Sequence, residues 1–120
     1  MDMLLAPGTI LNGRYYVERF VTEGGMSRIY YAWDSLARQP VAVKIARTDH
    51  QDVHAVYERI RYEAQVLSQI SHPNIVRLLD FQEDARWIYL VLTWIQGNSL
   101  KELLRARHMP FHVDEITLWI

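Results

Sequence analysis

Val41-Ala42-Val43-Lys44-Ile45-Ala46 is the stretch from which the rest of the chain can be read. A strand turns successive side chains to opposite faces, so Val41, Val43 and Ile45 share one side and Ala42, Lys44 and Ala46 the other. The first side is an ordinary apolar face. The second is small and carries a single cation. It reads either as the wet face of a half-exposed strand, the usual place for a lysine, or as a surface on which something flat lies while Lys44 reaches its negative end.

Working outward, the period changes after residue 46. Val56, Ile60, Glu63, Leu67 and Ile70 follow at steps of four, three, four and three, which is one face of a helix over about residues 53–70. Glu63 sits in the middle of that apolar stripe. A carboxylate there is either solvated at the stripe's edge or needs a cation, and Lys44 on the preceding strand is the natural partner. His72-Pro73-Asn74 ends the helical stretch. Upstream, Tyr15 to Thr22 and Arg28 to Trp33 read as strands around the turn Glu23-Gly24-Gly25-Met26-Ser27, and Asp34 to Pro40 is a loop. Connections this short make an antiparallel meander. Downstream, Ile75 to Phe81 and Trp87 to Leu92 are two further strands around a polar turn at Glu83-Asp84. Leu100 to Arg107 and Val113 to Ile120 read as helices. Residues 1–13 read as an arm ending in a turn at Asn12-Gly13. The expected fold class is therefore α+β: a five-stranded antiparallel sheet with one packed helix, followed by further helices.

Composition narrows the field. The 120 residues are 50% hydrophobic and 22% charged, which is the balance of a folded domain. A net charge of -1 offers no basic field for nucleic acid. Without cysteine there is neither a disulfide nor a thiolate metal site. No apolar run approaches the roughly 20 residues of a membrane span, and the first residues lack the basic start of a signal peptide; a cytoplasmic location is the expectation. His50 and His54 are four apart, as are His108 and His112, but neither pair has a third ligand in reach. Trp33, Trp87, Trp94 and Trp119 read as core or interface residues.

The turn Gly24-Gly25 alone is ordinary hairpin chemistry, or a place where backbone N–H groups can approach phosphate. A Gly-rich hairpin followed by a strand lysine and a helix glutamate is more telling. Val21-Thr22-Glu23-Gly24-Gly25-Met26-Ser27-Arg28-Ile29-Tyr30 resembles the Gly-rich loop of bacterial eukaryotic-like (Hanks-type) Ser/Thr protein kinases. Val41-Ala42-Val43-Lys44 is similar to that family's V-A-I-K strand, and Glu63 falls where the family has its helix glutamate. His72-Pro73-Asn74-Ile75-Val76 resembles the turn after that helix, and Ile88 to Leu100 the strand, hinge and next helix start. The likeness covers about residues 14–120.

The resemblance implies an N-terminal lobe, residues 14–97 with the hinge, after the arm 1–13, with 98–120 beginning the C-terminal lobe. It implies that Lys44, oriented by Glu63, holds the α- and β-phosphates of ATP under a loop of Thr22, Glu23, Gly24, Gly25, Met26 and Ser27. Val21, Ile29 and Ala42 would enclose the adenine, Leu92 would close the back of the slot, and main-chain atoms of Thr93 and Ile95 would pair with the base. Two of the family's three loop glycines are Thr22 and Ser27 here, and Thr93 stands where an acidic residue is common. The family's H-R-D-x-x-x-x-N and D-F-G segments, which orient the substrate hydroxyl and hold Mg²⁺, do not occur in residues 1–120. The implied parent is a Ser/Thr kinase acting on protein substrates, with Mg²⁺ ligands in the missing lobe that would pack on this one. These residues alone are expected to transfer nothing, and the apolar end Thr117 to Ile120 is expected to be sticky. The alternative is a non-catalytic nucleotide-binding or interaction module.

Overall fold

The structure, a computed structural model, describes residues 4–70 and 76–94. It has six strands and one helix: β1 (Ile10–Leu11), β2 (Tyr15–Glu23), β3 (Ser27–Asp34), β4 (Gln39–Ala46), α1 (Val53–Ser68), β5 (Leu78–Glu83) and β6 (Ile88–Thr93). All pairings are antiparallel, in the order β1-β2-β3-β4-β6-β5. The expected five-stranded sheet is thus corrected to six. The extra strand comes from the end of the 1–13 arm, where Ile10 pairs with Tyr16 and Leu11 with Tyr15. Asn12 and Gly13 both take positive φ, 54° and 62°, and the Arg14 amide donates to the Leu11 carbonyl at 3.0 Å. This is the mirror-image turn whose twist matches that of the strands it joins. The expected helices beyond residue 98, Ile95, Trp119, the His108–His112 pair and the His72-Pro73-Asn74 turn lie outside the described residues.

The centre of the sheet is buried on both sides. Val41, Val43 and Ile45 of β4 join Leu11, Tyr15, Val17, Tyr30, Ala32, Tyr89 and Val91 in one apolar cluster. Ala42 and Ala46 join Ile29, Leu90 and Leu92 in the other, where α1 docks through Val56, Ile60, Ala64 and Leu67. The helix begins at an Asp52 cap, whose side chain accepts from the Ala55 amide at 3.0 Å. Within the first cluster the buried Tyr89 hydroxyl has no hydrogen-bond partner among the described residues.

Asp34, expected in a loop, instead ends β3 and is buried. Its carboxylate accepts from Arg14 Nε at 2.8 Å and Nη2 at 2.9 Å, and from the Leu36 and Ala37 amides at 3.0 and 3.1 Å. Those bonds hold its pKa below the ordinary value, the Arg14 pair contributing most. Trp33, at 40% exposure, is not a core residue.

Candidate functional site

Register assembles the site. Cross-strand partners share a face, and Thr22 opposes Ile29, Ile29 opposes Lys44, and Lys44 opposes Leu90. In the next row of that face Tyr31 opposes Ala42, and Ala42 opposes Leu92. Ile29, Ala42, Lys44 and Leu92 therefore lie side by side on the helix-facing side of the sheet, although 63 residues separate the first from the last.

Lys44 is 1% exposed, so the wet-face reading of its strand does not hold. Its Nζ meets Glu63 Oε2 at 2.5 Å, and Glu63 is itself buried in the α1 stripe. Burial pulls the ammonium down to about 8; the Glu63 carboxylate works against that pull, and Arg59 adds to it. A recess of about 10 Å³ lies between the β2–β3 turn, Lys44 and α1, lined by Met26, Ser27, Val56, Ile60 and Glu63 with the half-buried Arg59. That volume suits one water-sized group. Two cations, Lys44 and Arg59, stand there against the one Glu63 carboxylate, and Ser27 adds a hydroxyl. Ile29, Ala42 and Leu92 are covered core residues, with Met26 and Trp94 packed on their cluster.

The other expected site residues are less enclosed. Val21 is exposed. Glu23 ends β2, and the turn Gly24 to Met26 closes with the Gly24 amide donating to the Ser27 carbonyl at 2.8 Å. The Thr93 amide donates to the Arg77 carbonyl at 3.1 Å, and the Thr93 hydroxyl accepts from the Arg77 amide at 3.2 Å. His50 is turned to the chain, its Nδ1 accepting from the Asp52 amide, while His54 faces Glu58 at 3.3 Å. Among the described residues no group of three or more His, Cys, Asp or Glu could hold a metal ion, and no helix is long and apolar enough to cross a membrane.

Two features escape sequence reasoning. Arg19 lies over the rings of Tyr31 and Trp94, at 5.0 and 5.6 Å, and those rings meet edge-on at 4.7 Å. This clasp joins β2 and β3 to the residue following β6. The second is a set of charged contacts around the β2–β3 turn, involving Glu23, Arg28, Arg47 and Asp49. The spacing Arg47–Asp49 hints at the second; nothing local signals the first.

Comparison with known proteins adds an independent line. The protein kinase domain family matches residues 15–120. The serine/threonine-protein kinase PrkC of Bacillus subtilis is 37% identical over 108 residues, which are 90% of this chain and 16% of that protein. The serine/threonine-protein kinase pkn2 of Myxococcus xanthus is 36% identical over 111 residues, 89% of this chain and 13% of that protein. The chain therefore spans about a sixth or less of these relatives. A solved structure described as the apo form of PpkA-294 shares the fold, with a TM-score of 0.68 over 87% of this chain and 43% of that one at 20% identity.

Proposed function

The chain belongs to the protein kinase domain family, and from that premise we propose that its sheet and helix form an ATP-binding lobe of a Ser/Thr protein kinase. The observation that carries this is the buried Lys44–Glu63 pair under the β2–β3 turn. Burying an ion pair contributes little net stability compared with apolar packing of similar size. A lysine kept at that cost beside a recess is better explained by an anion that it meets.

In this reading Glu63 orients the Lys44 ammonium toward the α- and β-phosphates, and the turn of residues 22–27 covers them. Ser27 adds a hydroxyl donor. Val21, Ile29 and Ala42 flank the base, Leu92 closes the slot behind it, and main-chain atoms of Thr93 and Ile95 meet its edge. When bound, ATP supplies the γ-phosphoryl group that the parent kinase passes to protein hydroxyls. The group that orients the acceptor and the Mg²⁺ ligands would come from beyond the 120 residues, on a second lobe packed against this one. The isolated chain is then a binder without transferase activity. Thr22 and Ser27, in place of two loop glycines, favour the second reading of a nucleotide-binding module whose parent has no catalytic role.

Calorimetric titration of the 120-residue chain tests the proposal. ATP binding is expected, and Lys44→Met is expected to weaken it by about tenfold or more, the worth of a charge-assisted contact. No binding by the unaltered chain, or equal binding by the variant, would refute it.

A further inference from the structure

The β2–β3 turn contains two glycines, and a side chain at Gly25 would meet nothing within 4 Å. Such a turn has much conformational freedom to lose on ordering. Arg47, the residue after β4, supplies a restraint from outside the hairpin. Its main-chain N–H donates to the Met26 carbonyl at 2.8 Å, and its Nη1 donates to the Gly24 carbonyl at 3.0 Å. Its remaining donors grip Asp49, Nε to Oδ1 and Nη2 to Oδ2, both at 2.9 Å. Glu23 Oε2 lies 3.5 Å from Arg47 Nη1, and Glu23 Oε1 accepts from Arg28 Nε at 2.9 Å. Arg28 Nη2 reaches Asp49 Oδ2 at 3.5 Å. Two arginines and two carboxylates thus close a ring at the base of the turn.

We propose that Arg47 is a positioning residue for the phosphate-covering turn, holding its carbonyl side away from the anion. The geometry supplies the reason. A trans peptide points its N–H opposite to its C=O. Fixing the Gly24 and Met26 carbonyls on Arg47 turns the Gly25 and Ser27 amides away from it. Carbonyl oxygens repel phosphate, and amides attract it. The planar fork of arginine is what lets one side chain hold Asp49 with two donors and Gly24 with a third; lysine has no such fork. Thr22 and Ser27 replace glycines within the hairpin, and Arg47 orders the turn from the neighbouring strand.

This inference rests on the nucleotide reading above, and the test separates the two. Amide hydrogen exchange is followed in the 120-residue chain and in Arg47→Ala, Arg47→Lys and Asp49→Asn variants, beside titrations with ATP and with adenosine. Arg47→Ala keeps the main-chain bond to Met26 and removes the side-chain bond to Gly24; it is expected to speed exchange across residues 23–27 and to weaken ATP by about three- to tenfold, the range for losing one hydrogen bond, with adenosine changed by less than about twofold. Arg47→Lys is expected to recover only part of the loss. Asp49→Asn, the milder change, is expected to move both readouts in the same direction by less, and it decides the matter if Arg47→Ala does not fold. Unchanged exchange at 23–27, or equal weakening of ATP and adenosine, would overturn the role given to Arg47. An unaltered chain that binds neither ligand refutes the nucleotide reading, while the exchange comparison still decides whether Arg47 holds the turn.

Discussion

Lys44 carries its cation at a cost that pH can expose. Its folded-state pKa is about 8, against 10.5 for an ordinary lysine. Below pH 8 both the folded and the unfolded chain hold the proton, and the burial cost is fully present. Between 8 and 10.5 the unfolded chain binds more protons, so stability rises with pH across that window. From about pH 10 two tyrosines oppose this. Burial raises the pKa of Tyr89 to about 12, and burial together with its bond to Asp80 raises that of Tyr15 further; the unfolded chain then loses protons first, and stability falls. Urea midpoints from pH 7 to 9.5 for the chain and for Lys44→Met should therefore diverge, the unaltered chain gaining on the variant above pH 8. A constant difference would contradict the assigned shift. The pair itself was legible before any coordinates, because a cation on a small strand face and a carboxylate on an apolar helix stripe each lack a reason alone and supply one together. Arg59 was not legible, since a charged residue one position before the stripe residue Ile60 has no pattern of its own.

At the scale of elements, α1 is the part that the sequence describes most fully. Of the stripe read from its spacing, Val56, Ile60, Glu63 and Leu67 are four of the five buried residues of the helix, the fifth being Ala64, while Ile70 lies past its end at Ser68. Side chains at steps of three and four can face only one way, so burial follows from periodicity. Ile60→Ala is expected to lower unfolding free energy by about 2–5 kcal/mol, as core truncations of this kind do. Glu58→Ala, on the exposed face and facing His54, should stay within about 0.5 kcal/mol. Urea denaturation of both variants checks the contrast, and similar losses would mean that α1 is not docked by this face. β1 was missed for an equally physical reason: two residues give no alternation to count, and only the turn after them carries a signal. Asp34 was misplaced because its residue type suggests a loop, while its bonds to Arg14, distant in sequence, hold it inside.

Across the molecule, the strands at the centre of the sheet belong to both cores. Tyr89 and Val91 of β6 enter one cluster and Ile88, Leu90 and Leu92 the other, as the alternate residues of β4 do. Neither cluster can come apart without disturbing a strand that the other needs. Far-UV circular dichroism and tryptophan fluorescence should therefore report one coincident unfolding transition; two separated midpoints would show the cores to be independent. This sharing follows from the runs Val41 to Ala46 and Ile88 to Leu92, which are apolar at nearly every position as strands covered on both faces are. The ring around Arg47 had only the spacing of Arg47 and Asp49 to announce it, since ion pairs leave no period in a sequence.

β1 pairs with Tyr15 and Tyr16, and the chain before it adds bonds to Val17 from Gly8 and Thr9. Beyond Val17, among the described residues, β3 is the one strand paired with β2, with irregular register between Val17 and Arg19 and between Phe20 and Thr22. The strand is thus clamped at its root and borne on one side toward its tip, as a cantilever is. Bending should concentrate at the two irregularities, so the contacts of Arg47 with Gly24 and Met26 act as the prop under the free end.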